Sequence, residues 1–171
     1  LNEFFDNGFD AHDNAVLTTD ANGTTVTTEF DLLSRLVTRS VGPAPGILGS
    51  TFEITRYDGL SRVVRVQNDD VLVTRDFDSL GGLVLEGVNF AAPSFPRAAD
   101  EVTSWVRDGL GNALLTVYPG GRVVGRTYDE LNRVVRICEG GCANPAPLLP
   151  AAGSNLAEYF YLGTERLEAR Q

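Results

Sequence analysis

Few residues in this chain are equipped for covalent or acid–base chemistry. Among 171 residues there is one histidine, His12, one tryptophan and two cysteines, Cys138 and Cys142. A serine-type hydrolase needs a histidine between its nucleophile and its acid, and His12 sits in F-D-A-H-D-N-A-V, a segment with turn chemistry. No residue is read as catalytic. The cysteines stand in C-E-G-G-C, where two glycines leave room for a small disulfide-closed loop; two free thiols are the alternative. A closed zinc site needs four ligands, commonly from two closely spaced pairs, and no second pair exists here. What remains is a recurring set of acids and rings. Asp10, Asp31, Asp58, Asp78, Asp108 and Asp129 carry the oxygen ligands that suit Ca2+. Phe9, Phe30, Tyr57, Phe77 and Tyr128 would make a strip on which a carbohydrate stacks. Because every acid occupies the same local position, capping of a turn is the preferred reading of the acids. Packing between repeats is the preferred reading of the rings. No metal or cofactor is expected.

That shared position belongs to a repeat. An aromatic residue, Asp, two variable residues, a small or polar residue, often Arg or Asn, and then aliphatics recur along the chain. The copies are F-D-A-H-D-N-A-V, F-D-L-L-S-R-L-V, Y-D-G-L-S-R-V-V, F-D-S-L-G-G-L-V, R-D-G-L-G-N-A-L and Y-D-E-L-N-R-V-V, with a degenerate Y-L-G-T-E-R-L-E beginning at Tyr161. One copy reads as a β-hairpin. Its Asp accepts a bond from the backbone two residues on, as in an Asx turn. Its fourth turn position takes a positive φ in hairpin loops with a bulge. Gly81 and Gly111 suit that position, Asn132 and Asp13 tolerate it, and Ser34, Ser61 and Glu165 fit it less well, which predicts strain or another turn type there. The flanks, such as T-F-E-I-T-R before Tyr57 and R-V-V-R-V after it, are rich in β-branched and aromatic residues and predict strands. Y-P-G-G-R-V-V and D-A-N-G-T-T-V read as a second turn type joining the hairpins on the opposite edge. Arg35, Arg62 and Arg133, just after the turn, are expected to pair with the Asp of a neighbouring repeat.

The spacing of the copies is itself informative. Intervals of about 20 and about 30 residues alternate, so the unit is a double hairpin of about 50 residues. The expected units are 9–50, 51–100 and 101–155, with a partial unit at 156–171. Each long interval holds a Pro-rich insert, V-G-P-A-P-G, A-P-S-F-P or N-P-A-P-L-L-P. Proline cannot donate to a strand ladder, so these are expected as loops or edge covers projecting along one side. The whole chain is therefore read as one all-β domain of tandem antiparallel hairpins, forming a stacked or spiralling, open-ended sheet.

Composition narrows the partners. A net charge of -9 and a pI near 4.5 argue against nucleic acid, whose affinity comes mainly from neutralised phosphates, and against anionic membrane surfaces. No apolar run approaches the roughly 18 residues of a membrane-spanning helix. The length is enough to bury one sizeable core. All 14 basic residues are Arg, which reads as compositional bias; Met is absent, so Leu1 reads as a processed start or the beginning of an excised piece.

Aromatic-Asp-x-x-Gly-Arg-Leu at this spacing resembles the YD repeat of the rearrangement-hotspot (Rhs) family, from Phe9 to about Leu167. That family includes bacterial Rhs proteins, shell components of insecticidal toxin complexes, and teneurins. The resemblance implies hairpins joined into a long sheet that spirals into a hollow shell, exported from the cell and often enclosing a toxic domain. Departures are Arg107 in place of the aromatic, Leu162 in place of the Asp, and Ser, Asn or Asp at most Gly positions. No residue matches the self-cleaving aspartyl site of the family, so scaffold transfers and chemistry does not.

Three functions follow as expectations. The first is a non-catalytic, extracellular structural protein that associates with itself through strand edges into a filament or surface assembly. The interval from Tyr161 to Phe9 of a following copy is close to the shorter repeat interval, which suits head-to-tail stacking. The second is a piece of a larger Rhs or toxin-complex shell, whose partners are neighbouring repeats. The third is a carbohydrate-binding or cell-contact module using the aromatic strip.

Overall fold

A computed structural model describes residues 8–90, 101–142, 154–164 and 166–170. Among them are fourteen β-strands, hydrogen-bonded in chain order in one open antiparallel sheet. They are β1 (Gly8–Phe9), β2 (Ala15–Thr19), β3 (Thr25–Phe30), β4 (Leu36–Gly42), β5 (Phe52–Tyr57), β6 (Val63–Asn68) and β7 (Val71–Phe77). They continue as β8 (Leu83–Phe90), β9 (Glu101–Arg107), β10 (Ala113–Val117), β11 (Val123–Tyr128), β12 (Val134–Glu139), β13 (Asn155–Leu162) and β14 (Arg166–Arg170). The all-β hairpin reading of the sequence therefore holds. The strands are short because an Asp turn or a Gly, Asn or Pro signal interrupts each apolar run.

Two compact units are present, one of residues 1–75 and 88–100, the other of residues 76–87 and 101–171. In the first, β3 and β4 pair over Thr25↔Gly42 to Phe30↔Leu36, and β5 and β6 over Glu53↔Asn68 to Tyr57↔Val63. In the second, β11 and β12 pair over Val124↔Glu139 to Tyr128↔Val134. Each ladder has its irregularity at the aromatic that precedes the turn, between Glu29 and Phe30, Arg56 and Tyr57, and Thr127 and Tyr128. A one-residue bulge at that place aims the ring away from strict alternation.

The core is thinner than the length suggests. Among the described residues, the buried apolar side chains are Ala44, Leu72, Leu115, Val124, Cys138, Cys142 and Ala157, joined by the polar Thr55, Asn89 and Thr116. Most of the other described side chains are half-buried or exposed. Cys138 and Cys142 are the most buried pair and are joined by a disulfide with a Cα–Cα distance of 5.2 Å. Their loop folds back on β11, where the Gly140 amide donates to the Val123 carbonyl at 2.8 Å. A Cβ at Gly125 would stand 2.4 Å from the Cys142 nitrogen and 2.6 Å from the Gly141 Cα. Glycine at 125 is what lets the loop reach the sheet.

The Pro-rich inserts fall between β4 and β5, β8 and β9, and β12 and β13. The A-P-S-F-P and N-P-A-P-L-L-P segments lie outside the described residues. In the first insert Ala44 is buried and its amide donates to Thr24 Oγ1 at 3.2 Å, so this loop closes against the Asp20 turn. No helix among the described residues is long and apolar enough to cross a membrane.

Candidate functional site

The motif acids organise the turns. Asp10, Asp31, Asp58, Asp78, Asp108 and Asp129 each begin a three-residue loop that joins an odd-numbered strand to the next even-numbered one. In each, the amide three residues on donates to the Asp carbonyl, and the Asp amide donates to the carbonyl four residues on. For Asp58 these distances are 3.1 Å from Ser61 and 3.0 Å to Arg62. The residue before the strand resumes is left-handed in every case: Asp13, Ser34, Ser61, Gly81, Gly111 and Asn132 have φ between 55° and 88°. Ser34 and Ser61 thus adopt the same turn as the glycine copies rather than another type. Glu165 lies outside the described residues. In its degenerate copy Leu162 continues the strand, and Gly163 carries the positive φ instead.

The carboxylate does more than cap one amide. Asp58 Oδ1 accepts from Leu60 N at 2.8 Å and from Arg62 N at 3.0 Å. The same pair of bonds occurs at Asp10 from His12 and Asn14, at Asp31 from Leu33 and Arg35, and at Asp78 from Leu80 and Gly82. It recurs at Asp108 from Leu110 and Asn112 and at Asp129 from Leu131 and Arg133. His12 contributes its backbone amide to this turn. The second oxygen takes the side chain after the turn: Arg35, Arg62 and Arg133 approach Oδ2 of their own Asp at 2.6 Å, and Asn14 and Asn112 donate to it at 2.9 Å. The arginines therefore pair within their own repeat, not with a neighbour's Asp. A four-residue separation across this turn brings the two side chains onto one side, which spacing alone does not reveal.

These bonds hold several carboxyls below the usual aspartate range. The side chain of Asn14 does so at Asp10, Arg35 at Asp31, Asn112 at Asp108 and Arg133 at Asp129, with the turn amides adding to each. At Asp58 partial burial pushes the other way, and the Arg62 amide and guanidinium together outweigh it. On the opposite edge, Asp69 is lowered by the Thr51 amide and hydroxyl. The Asp20 turn there repeats the motif geometry, with Oδ1 accepting from Asn22 N and Thr24 N at 2.9 Å. It is the same turn, not a second type. The turn from Tyr118 to Arg122 differs, with positive φ at both Gly120 and Gly121.

The rings link one repeat to the next. The hydroxyls of Tyr57, Tyr128 and Tyr161 donate to the carbonyls of Leu36, Ala113 and Val134, at 2.9, 3.2 and 2.8 Å. Each acceptor is the first residue after the preceding repeat's turn partner. Arg35 and Arg133 then lie over the following rings, 4.5 Å from the Tyr57 centroid and 4.3 Å from the Tyr161 centroid. Phe9 is exposed, and Phe30 and Phe77 are half-buried.

The departure at Arg107 follows from the same geometry. The preceding repeat has Gly82 where others have Arg or Asn. Arg107 takes the ring's place, donating from Nε to the Leu83 carbonyl at 3.0 Å and from Nη1 to Gly111 O at 2.8 Å. A Cβ on Gly82 would stand 2.8 Å from both Arg107 Cδ and Asp78 Oδ2. The cation has moved from one strand to the next, and the two replacements are a matched pair. Gly82→Arg alone is expected to destabilise the chain, and adding Arg107→Tyr is expected to recover most of the loss. A coupling of about 1 kcal/mol or more in a double-mutant cycle by chemical denaturation would show this; additive effects would contradict it.

Among the described residues no group of three or more His, Cys, Asp or Glu side chains is placed to hold a metal ion. Each motif turn is held by its own carboxylate, with an arginine or asparagine side chain added at five of the six.

No family model and no curated protein matches this sequence. Solved toxin-complex structures match it in fold. A Photorhabdus luminescens Tc holotoxin pore aligns at a TM-score of 0.65 and 17% identity, covering 98% of this chain and 9% of that one. A TcdB2-TccC3-Cdc42 structure aligns at 0.64 and 18%, covering 99% and 9%. TcdB2-TccC3-TEV aligns at 0.60 and 15%, covering 97% and 10%. The class defined by fold and turns is a tandem Asp-turn hairpin sheet. The toxin-complex chains that share its fold belong to the group to which the repeat resemblance points. This chain spans about a tenth of their length.

Proposed function

We propose that the chain is a segment of the wall of a larger toxin-complex-type shell, exported from the cell, with a structural rather than catalytic role. The observation that carries this reading is the alignment of nearly the whole chain with about a tenth of much longer toxin-complex chains. Its turns agree with that role, since their charged groups are spent on backbone amides and on one another. Neighbouring repeats of a longer polypeptide are then its partners. Mass spectrometry of the natural polypeptide tests this: a chain many times 18.4 kDa is expected. A secreted natural product of that small mass would overturn it, and filaments of such a product on electron-microscopy grids would establish self-association through strand edges instead. A carbohydrate surface has less support, because Arg35 and Arg133 already cover the Tyr57 and Tyr161 rings.

A further inference from the structure

Two junctions between repeats carry asparagine where others carry arginine: Asn14 precedes Phe30, and Asn112 precedes Tyr128. Where Arg35 precedes Tyr57 and Arg133 precedes Tyr161, the guanidinium bonds its own Asp, lies over the next ring and reaches the next turn. Where Asn112 precedes Tyr128, only part of this is reproduced. Asn112 Nδ2 donates to Asp108 Oδ2 at 2.9 Å and to Asn132 Oδ1 at 3.0 Å. Its side chain ends there, and no described cation lies over the Tyr128 ring or pairs with Asp108. The space an arginine would fill is a cleft of about 240 Å³, lined by Asp108, Leu110, Asn112, Leu114, Tyr128 and Asn132 together with Thr127 and Asp129.

We propose that this cleft binds the guanidinium group of an arginine side chain presented by another polypeptide. The constellation is one that the chain itself fills with arginine at two other junctions, so the ligand chemistry is read from its own repeats. The Tyr128 face attracts a planar cation. The Asp108 carboxylate, held ionised by the Asn112 side chain and turn amides, has no counter-charge among the described residues. The Asn132 Oδ1 accepts at the far side, and Leu110 and Leu114 offer apolar surface to the methylene stem. A lysine ammonium would meet the charge but not the flat ring and the spread acceptors together. The net charge of -9 adds a general attraction for a basic partner. This site does not depend on whether the chain is a shell segment.

NMR titration of the folded chain with N-acetyl-arginine amide, against N-acetyl-lysine amide, tests the proposal. The arginine probe is expected to shift the side-chain amides of Asn112 and Asn132 and the Tyr128 ring, with at least about fivefold tighter binding than the lysine probe. Asn112→Arg is expected to abolish these shifts and to move the new arginine's δ-methylene signal upfield, as stacking on Tyr128 requires. Absence of shifts at the cleft up to the probe's solubility limit would overturn the proposal, as would equal binding of lysine. So would a folded Asn112→Arg variant that binds the probe like the parent. Should that variant fail to fold, the two-probe titration decides alone.

Discussion

Gly125→Ala is expected to lower stability by about 3 kcal/mol, near the upper end of ordinary overpacking costs. The added methyl would meet the Cys142 nitrogen at 2.4 Å and the Gly141 carbon atoms at 2.6 and 2.8 Å. These are backbone atoms of a loop held at both ends, by the disulfide and by the Gly140–Val123 bond, so neither side gives way cheaply. The loop is expected to lift from β11, which exposes two buried sulfurs and raises the free-thiol content in a partly reducing buffer. Closing so short a loop is itself worth about 2 kcal/mol by the chain-entropy estimate. In a Cys142→Ser background the cost of Gly125→Ala is therefore expected to shrink. Gly109→Ala is the control, because a Cβ there meets nothing within 4 Å, and it is expected to change stability by less than about 0.5 kcal/mol. Equal effects at Gly125 and Gly109 by urea denaturation would show that the loop does not rest on the glycine.

Acid is expected to unfold the chain through its turns. Asp10, Asp31, Asp58, Asp69, Asp108 and Asp129 all have folded-state values below the ordinary aspartate value of 3.8. The unfolded chain then binds more protons than the folded one as pH falls through that region. Each carboxylate contributes stability that is fully present above its unfolded value and is lost as pH drops toward its folded value. Six groups acting in the same direction are expected to lower the thermal midpoint by about 10 °C or more between neutral pH and about pH 3. Asp58→Asn keeps an oxygen for the Leu60 and Arg62 amides but gives up the charge facing Arg62. It is expected to lower the midpoint at neutral pH and to flatten the acid limb. A midpoint unchanged from neutral pH to about pH 3 in differential scanning calorimetry would contradict the role given to the turn carboxylates.

Much of this fold is legible in the residues because its information is local. An Asp followed after two residues by a position tolerant of positive φ, between runs of β-branched residues, defines a hairpin wherever it occurs. Six such signals and the degenerate copy at Tyr161 mark the seven hairpins and hence the strand order. Legibility ends where two residues distant in sequence must be known to touch. The pairing of Arg62 with its own Asp58 depends on how the turn folds the chain, not on the count of residues. Gly82 and Arg107 look like two unrelated departures until the strand between them brings them together. Gly125 gives no local sign of its importance, since its constraint comes from a loop that folds back onto it. The candidate site was visible as acids and rings; the order of carboxylate, guanidinium and ring from Asp31 through Arg35 to Tyr57, and from Asp129 through Arg133 to Tyr161, was not.

Cryo-electron microscopy of the natural full-length polypeptide tests the central claim most directly. The expected map shows these hairpins as consecutive members of one continuous β-sheet wall, with strands paired on both outer edges of this segment. A map in which the segment stands as a separate domain, joined to the rest by a linker and with its sheet edges unpaired, would contradict the proposal that it is part of a shell.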